Sequence, residues 1–166
     1  MLFRSPGPIY VGDDCSCGTG PMLAPNNVVL LDNNDEKFVT IDGMCPQGGE
    51  FVYRQPASMF ELKQVIAAAA RNAPSTYSLD GNLHWTRKSV VAWWHETHKY
   101  RIALAENLKL FWARNRMSSA ASAWPSPDIS RWHDYLEDGM EHYLRAYSYL
   151  LDTRSLPTAT THLPPL

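Results

Sequence analysis

The chain is poor in charge and in cysteine, and it has no long apolar run. Only 19% of its residues are charged, below the roughly 25% usual in soluble domains. Lys plus Arg number 15 against 17 for Asp plus Glu, and the formal net charge is -2. That balance excludes a global field drawing the protein onto phosphate backbones or an anionic membrane, so any contact with nucleic acid must come from a local patch. Three cysteines, Cys15, Cys17 and Cys45, are few and odd in number, which argues against a disulfide framework. No charged n-region followed by an apolar h-region opens the chain, where Arg4, Pro6 and Pro8 fall, so a reduced, cytoplasmic protein without a signal peptide is expected. The longest strongly apolar stretch, Val65 to Ala70, is far short of the roughly 20 residues of a transmembrane helix, and no membrane partner is expected.

Motifs of nucleotide and hydrolytic chemistry are also missing. There is no Gly-x-x-x-x-Gly-Lys, no Gly-x-Gly-x-x-Gly after a strand, and no Gly-x-Ser-x-Gly elbow. What the chain does have is aromatic bulk: six Trp, eight Tyr and five Phe among 166 residues of which 45% are hydrophobic. Such a chain can bury roughly two-thirds of its unfolded surface in a single domain without metal or disulfide staples.

The grammar changes near Pro56. Residues 1–56 are dense in turn formers, with short apolar runs between them. Val28 to Leu31 and Phe38 to Ile41 predict a hairpin across Asn33-Asn34, and Phe51 to Tyr53 a third strand. Residues 57–154 take up helical spacing. Ser58 and Glu61 form a capping pair, after which Met59, Leu62, Ile66, Ala69 and Ala70 share one face, and Pro74 ends the helix before a linker to Leu83. A long helix is predicted over 86–116 on the stripe Trp93, Thr97, Tyr100, Leu104, Leu108 and Phe111. Another is predicted over 128–152 on Trp132, Leu136, Met140, Tyr143, Tyr147 and Leu150. Residues 155–166 have no period and are expected to form an extended tail. The expected fold class is α+β, a small turn-rich N-terminal β-sheet packed on a three-helix C-terminal bundle.

Charge is partitioned between the two long helices, with a balance of +5 over 86–116 and -4 over 128–152. Two solvated faces that attract each other weakly account for this in the plainest way. The basic helix nevertheless places Lys99, Arg101, Lys109 and Arg114 beside Trp94 and Trp112, and stacking planes next to cations suit single strands or flipped bases. The candidate nucleic-acid contacts are therefore Lys99, Arg101, Lys109, Trp112 and Arg114. A second constellation is His95 and His98 on one helix with His133 and Glu137 on the other, which could form a metal site between facing helices. Neither the paired Glu-x-x-His of di-iron bundles nor His-Glu-x-x-His is present. Cys15, Cys17 and Cys45, with His84, His95 or His98 as a fourth ligand, could bind zinc, although one-residue spacing between the first two is tighter than zinc knuckles use. Unliganded thiols and boundary histidines are the plainer alternatives.

Two short resemblances accompany these patterns. Tyr10 to Gly20, with its Cys-x-Cys-Gly-x-Gly string, resembles the calcium loop of secreted phospholipase A2. The His-Asp dyad of that family follows the loop closely, whereas here His133-Asp134 lies far along the chain, so no residue is carried over. Trp93 to Tyr100 is similar to a helix of phage proteins labelled pyrimidine-dimer DNA glycosylase, a class whose best-known enzymes use the amine of an N-terminal threonine, and here Leu2 follows Met1. The first expectation is a non-enzymatic interaction or assembly protein, such as an accessory or viral structural subunit, that self-associates or binds a protein partner. Low charge, many Trp and Tyr, and turn-rich ends motivate it. The alternative is a nucleic-acid-acting protein, glycosylase-like or a binder, using helix 86–116, and a metal-dependent hydrolase comes third.

Overall fold

We describe a computed structural model of the chain over residues 5–12, 18–31, 49–73, 76–117 and 129–166, with side chains at all of these except 31, 49, 111–117 and 129–130. Along the chain come β1 (Tyr10–Val11), α1 (Thr19–Leu23), β2 (Val28–Leu31), β3 (Gly49–Val52), α2 (Met59–Arg71), β4 (Tyr77–Ser78), a 3-10 turn (Gly81–Leu83), α3 (Arg87–Glu96), α4 (His98–Met117), α5 (Ile129–Asp134), a π-helical turn (Tyr135–Gly139) and α6 (Met140–Thr153). The fold class is α+β, with two small antiparallel sheets of two strands each.

The pair β2–β3 organises the molecule through the two-residue alternation of a strand. Val28 lies opposite Val52, and Val29 opposite Phe51. Val29 and Phe51 face the larger core, which gathers Leu104, Leu108, Trp132, Leu136, Met140, Leu144 and Tyr147 from the helices. Val28 and Val52 face the other way, into a second cluster with Ile9, Val11, Ala24, Val65 and Ala68. Trp132 seals the first side, its ring centroid 5.7 Å from Phe51 and 5.8 Å from Tyr53. Phe38 to Ile41, expected as the partner of Val28 to Leu31, lies outside the described residues.

The segment predicted as a linker supplies a strand. Tyr10 pairs with Ser78 and Val11 with Tyr77, so the N-terminal segment is closed by residues that follow α2. Gln55 fixes the same segment, its side chain accepting from the Ile9 amide (3.1 Å) and donating to the Ile9 carbonyl (2.7 Å). Gly81 donates its amide to the Pro8 carbonyl at 3.0 Å. A Cβ at Gly81 would strike the Gly7 carbonyl, so only glycine permits that approach.

Ser58 caps α2, its hydroxyl accepting from the Glu61 amide at 3.2 Å. Which face α2 buries differs from the expectation. Val65 and Ala68 are fully buried, while Met59 and Ile66, placed by spacing on the expected inner face, are exposed together with Phe60. The long helix expected over 86–116 is divided at Thr97 into α3 and α4. The Thr97 hydroxyl donates to the Trp93 carbonyl at 2.6 Å, and the Thr97 carbonyl accepts from the Arg101 amide at 2.9 Å. One threonine thus ends one helix and opens the next. The expected third helix is continuous from α5 to α6 but passes through the π turn. Gly139 allows it, because a Cβ there would sit 2.8 Å from the Tyr135 ring. The tail after α6 folds back: Arg145 donates to the carbonyls of Leu163 and Pro164, each at 3.0 Å, and Leu166 packs on the larger core.

Candidate functional site

The junction at Thr97 holds the residues singled out for nucleic-acid contact. Arg101 is 8% exposed and turned inward. Its guanidinium lies 3.2 Å from the Trp94 ring centroid, donates to the Trp94 carbonyl at 2.7 Å and to the Thr97 hydroxyl at 3.3 Å. A cation on the last carbonyls of a helix satisfies its C-terminal orphan groups and opposes the dipole. Burial lowers the Arg101 pKa to about 10, with Glu141 acting to raise it, so the side chain is a cation at neutral pH. Arg101 is thus a staple across the α3–α4 junction. Lys99 and Lys109 are exposed, Lys99 with its Nζ 4.6 Å from the Tyr100 ring centroid. The side chains of Trp112 and Arg114 lie outside the described residues.

The candidate metal residues are placed in two groups. His95 and His98 are both exposed beside the same junction. His133 Nε2 lies 3.5 Å from Glu137 Oε1, and its Nδ1 lies 3.4 Å from Asp134 Oδ1, at the limit of hydrogen bonding. Among the described residues no three His, Cys, Asp or Glu side chains gather in a way that could hold a metal ion. Cys15, Cys17 and Cys45 lie outside the described residues. His84, a possible fourth zinc ligand, is paired with Asp80 at 3.1 Å. Hydrogen bonds from His84 and then Tyr10 hold the Asp80 carboxyl below its ordinary range.

A polar cluster that the pattern of residues had not singled out is built on Glu50. Alternation along β3 puts Glu50 on the side of Val52, where it is 5% exposed. One carboxylate oxygen accepts from the Gly20 amide at 2.8 Å, and the other accepts from the Tyr77 hydroxyl at 2.6 Å and from Asn72 Nδ2 at 3.2 Å. One side chain thereby joins α1, β3, α2 and β4. Gly20 is required here because a Cβ would strike the carboxylate and the Tyr77 hydroxyl. These three contacts each tie one element to another, and in this the cluster is architectural.

Buried phenols form a further group. Burial raises the pKa values of Tyr135 and Tyr143 well above the ordinary value and pushes Tyr147 up to about 12. The Tyr147 hydroxyl donates to Asn82 Oδ1 at 2.8 Å, whereas among the described residues that of Tyr143 has no hydrogen-bond partner. Tyr143 and Tyr147 stack at 5.8 Å with their planes 10° apart.

The remaining candidate is the outer side of α2. Met59 is 67% exposed, Phe60 69% and Ile66 48%, and Ala67 and Ala70 beside them are also exposed. Positions 59, 63, 66 and 70, with 60 and 67 alongside, form one stripe at helical spacing, and Lys63 is its only charge. Met22, 61% exposed, lies on α1, which packs against α2. Sequence periodicity placed Met59, Ile66 and Ala70 inward with Leu62 and Ala69; the latter two are half-buried, Leu62 against the second cluster, and the first three are exposed. The signal available was that α2 is apolar on both sides, which a helix with one core-facing side does not need. No helix among the described residues is long and apolar enough to cross a membrane. Comparison of the chain with protein-family models, with curated proteins and with solved structures gave no match.

Proposed function

We propose that this chain is a non-enzymatic interaction or assembly subunit whose contact face is the outer side of α2. The observation that carries this reading is the exposure of Met59, Phe60 and Ile66 on a helix whose opposite side, Val65 and Ala68, is already fully buried. Folding needs only the inner side. A contiguous apolar patch on a folded protein marks a contact site more often than a solvated face, and Phe and Met are enriched where partners meet. Neither polar cluster offers a competing site, since Arg101 is engaged by Trp94 and Thr97 and the Glu50 carboxylate by Gly20, Tyr77 and Asn72, and the other exposed large apolar residues, among them Leu79, Leu83, Ile102 and Leu110, lie outside α2.

Amine-directed cross-linking of the protein in its native assembly, followed by peptide mass spectrometry, tests this. Lys63 sits within the stripe, and Lys88, Lys99 and Lys109 are exposed elsewhere as internal controls. The expected outcome is a link from Lys63 to another polypeptide that disappears in Phe60→Asp, while the control lysines behave as before. If Lys63 gives no inter-chain link and Phe60→Asp changes nothing, the reading is wrong.

A further inference from the structure

We infer that the face of α6 carrying Arg145 is a binding site for a proline-rich stretch of another polypeptide, filled in this chain by its own residues 163–166. This site lies on α6 and owes nothing to the outer side of α2. Leu163-Pro164-Pro165-Leu166 has its backbone set by the sequence: each proline fixes its own φ, and a residue that precedes proline is driven to extended or polyproline II conformation. At three residues per turn that conformation puts Leu163 and Leu166 on one side. Burial follows the same period. Leu163, Pro164 and Leu166 are half-buried, whereas His162 and Pro165 are exposed, and Leu166 packs on the larger core.

Arg145 supplies the polar half of the recognition. Its Nε donates to the Pro164 carbonyl and its Nη2 to the Leu163 carbonyl, each at 3.0 Å. Prolines offer acceptors and no N–H, so a donor-only guanidinium is the side chain that matches such a backbone. Proline-rich ligands are bound through the same two features, a preformed backbone and side chains at fixed spacing. Neither feature depends on a covalent link to α6. The connection, residues 154–162, is exposed except at Pro157 and Thr161, which are half-buried. It is folded on itself, the Thr158 amide donating to Thr161 Oγ1 at 2.8 Å and the Thr161 amide to the Thr158 carbonyl at 3.0 Å. A linker this short presents the segment at an effective concentration on the order of 1 mM. A polyproline II segment loses little freedom on docking, so two bonds and two half-buried leucines give a dissociation constant on the order of 100 µM. The two values keep the site closed by about ten to one and leave it open to a competitor of the same kind.

Fluorescence anisotropy tests this with a fluorescein-labelled peptide of residues 160–166, titrated with the full chain to about 1 mM. The variant L163D/L166D keeps the site but spoils its own occupant, and it should bind the peptide about tenfold more tightly than wild type does. Adding Arg145→Ala to that variant removes both bonds to the carbonyls and should weaken binding by about tenfold or more. A peptide carrying the same two aspartates should not bind. Far-UV circular dichroism checks that each variant is folded, and L163A/L166A, which trims the leucines without adding charge, takes the place of the aspartate variant if that one is not. Absence of binding to the folded variant overturns the inference, as does binding that survives Arg145→Ala. Equal affinity for wild type and variant would show that residues 163–166 do not fill the site, and overturns it as well.

Discussion

Replacing Glu50 by glutamine exchanges one carboxylate oxygen for an amide nitrogen in the buried cluster that joins α1, β3, α2 and β4, and its cost follows from the donors around it. The carboxylate accepts from the Gly20 amide, the Tyr77 hydroxyl and Asn72 Nδ2. A glutamine must turn its amide group toward one oxygen position or the other. Facing Gly20, it sets donor against donor. Facing Tyr77 and Asn72, it can donate to the tyrosine oxygen but opposes the asparagine, whose bond to the Ala68 carbonyl at 3.0 Å is untouched. Hydrogen bonds to a charged group contribute about 1.5–3 kcal/mol each and neutral ones about 1, so weakening the cluster and opposing one pair of donors should cost about 2 kcal/mol. At roughly 2–4 °C per kcal/mol for a chain of this size, the melting temperature should fall by about 4–8 °C. Urea unfolding followed by far-UV circular dichroism reads the change as a shifted midpoint at constant slope. A Glu50→Gln protein within about 0.5 kcal/mol of wild type would refute the reasoning. So would a Tyr77→Phe background in which the substitution costs as much as before, because the two residues would then not be coupled.

Two further outcomes follow from the same structure. Arg101→Ala removes the bonds to Trp94 and Thr97 at the α3–α4 junction and should destabilise the fold by about 1.5–3 kcal/mol, whereas exposed Lys109→Ala should stay within about 0.5 kcal/mol. Denaturant unfolding of both variants compares them, and equal small effects would show that Arg101 does not tie the two helices. Tyr135, Tyr143 and Tyr147 have pKa values raised by burial. The fold keeps these protons after the unfolded chain has lost them, so stability is full below pH about 10 and falls as pH rises above it. Absorbance at alkaline pH should show part of the tyrosine ionising only as the chain unfolds. Complete, reversible ionisation near pH 10 with native circular dichroism would contradict the buried placement.

Much of the fold was legible where one rule decided the outcome. Alternation placed Val28 and Val29 on opposite sides of a strand, and the stripe from Trp132 through Leu136, Met140 and Tyr147 is buried as spacing predicts. The same alternation carried an unused signal, since Glu50 falls on the side of Val52. Thr97 escaped because a junction that costs no residues leaves the period of Trp93, Leu104 and Leu108 intact, and only the bond from its hydroxyl to the Trp93 carbonyl shows the break. Arg101 stood in the sequence as one cation beside aromatics. Its inward turn depends on Trp94 and Thr97 meeting across that break. The face of α2 was misread for a different reason, since periodicity preferred the side of Met59, Leu62, Ile66, Ala69 and Ala70, whereas the buried side is rotated from it and shares only its half-buried edge, Leu62 and Ala69. The contact with the second cluster, through Val65 and Ala68, decides it.

On the proposed reading, the two sides of α2 separate folding from association. The second cluster closes around Ile9, Val11, Ala24, Val28, Val52, Val65 and Ala68 without Met59, Phe60 or Ile66, so the inner side of α2 meets the demand of the fold. Leaving large apolar side chains in water gives the monomer no stability and invites non-specific association. A charged residue at position 60 or 66 would be compatible with the same cap at Ser58 and the same buried face. On the proposed reading the outer residues answer to a contact outside the monomer, and substitutions among them should weaken that contact while unfolding transitions stay within about 0.5 kcal/mol of wild type.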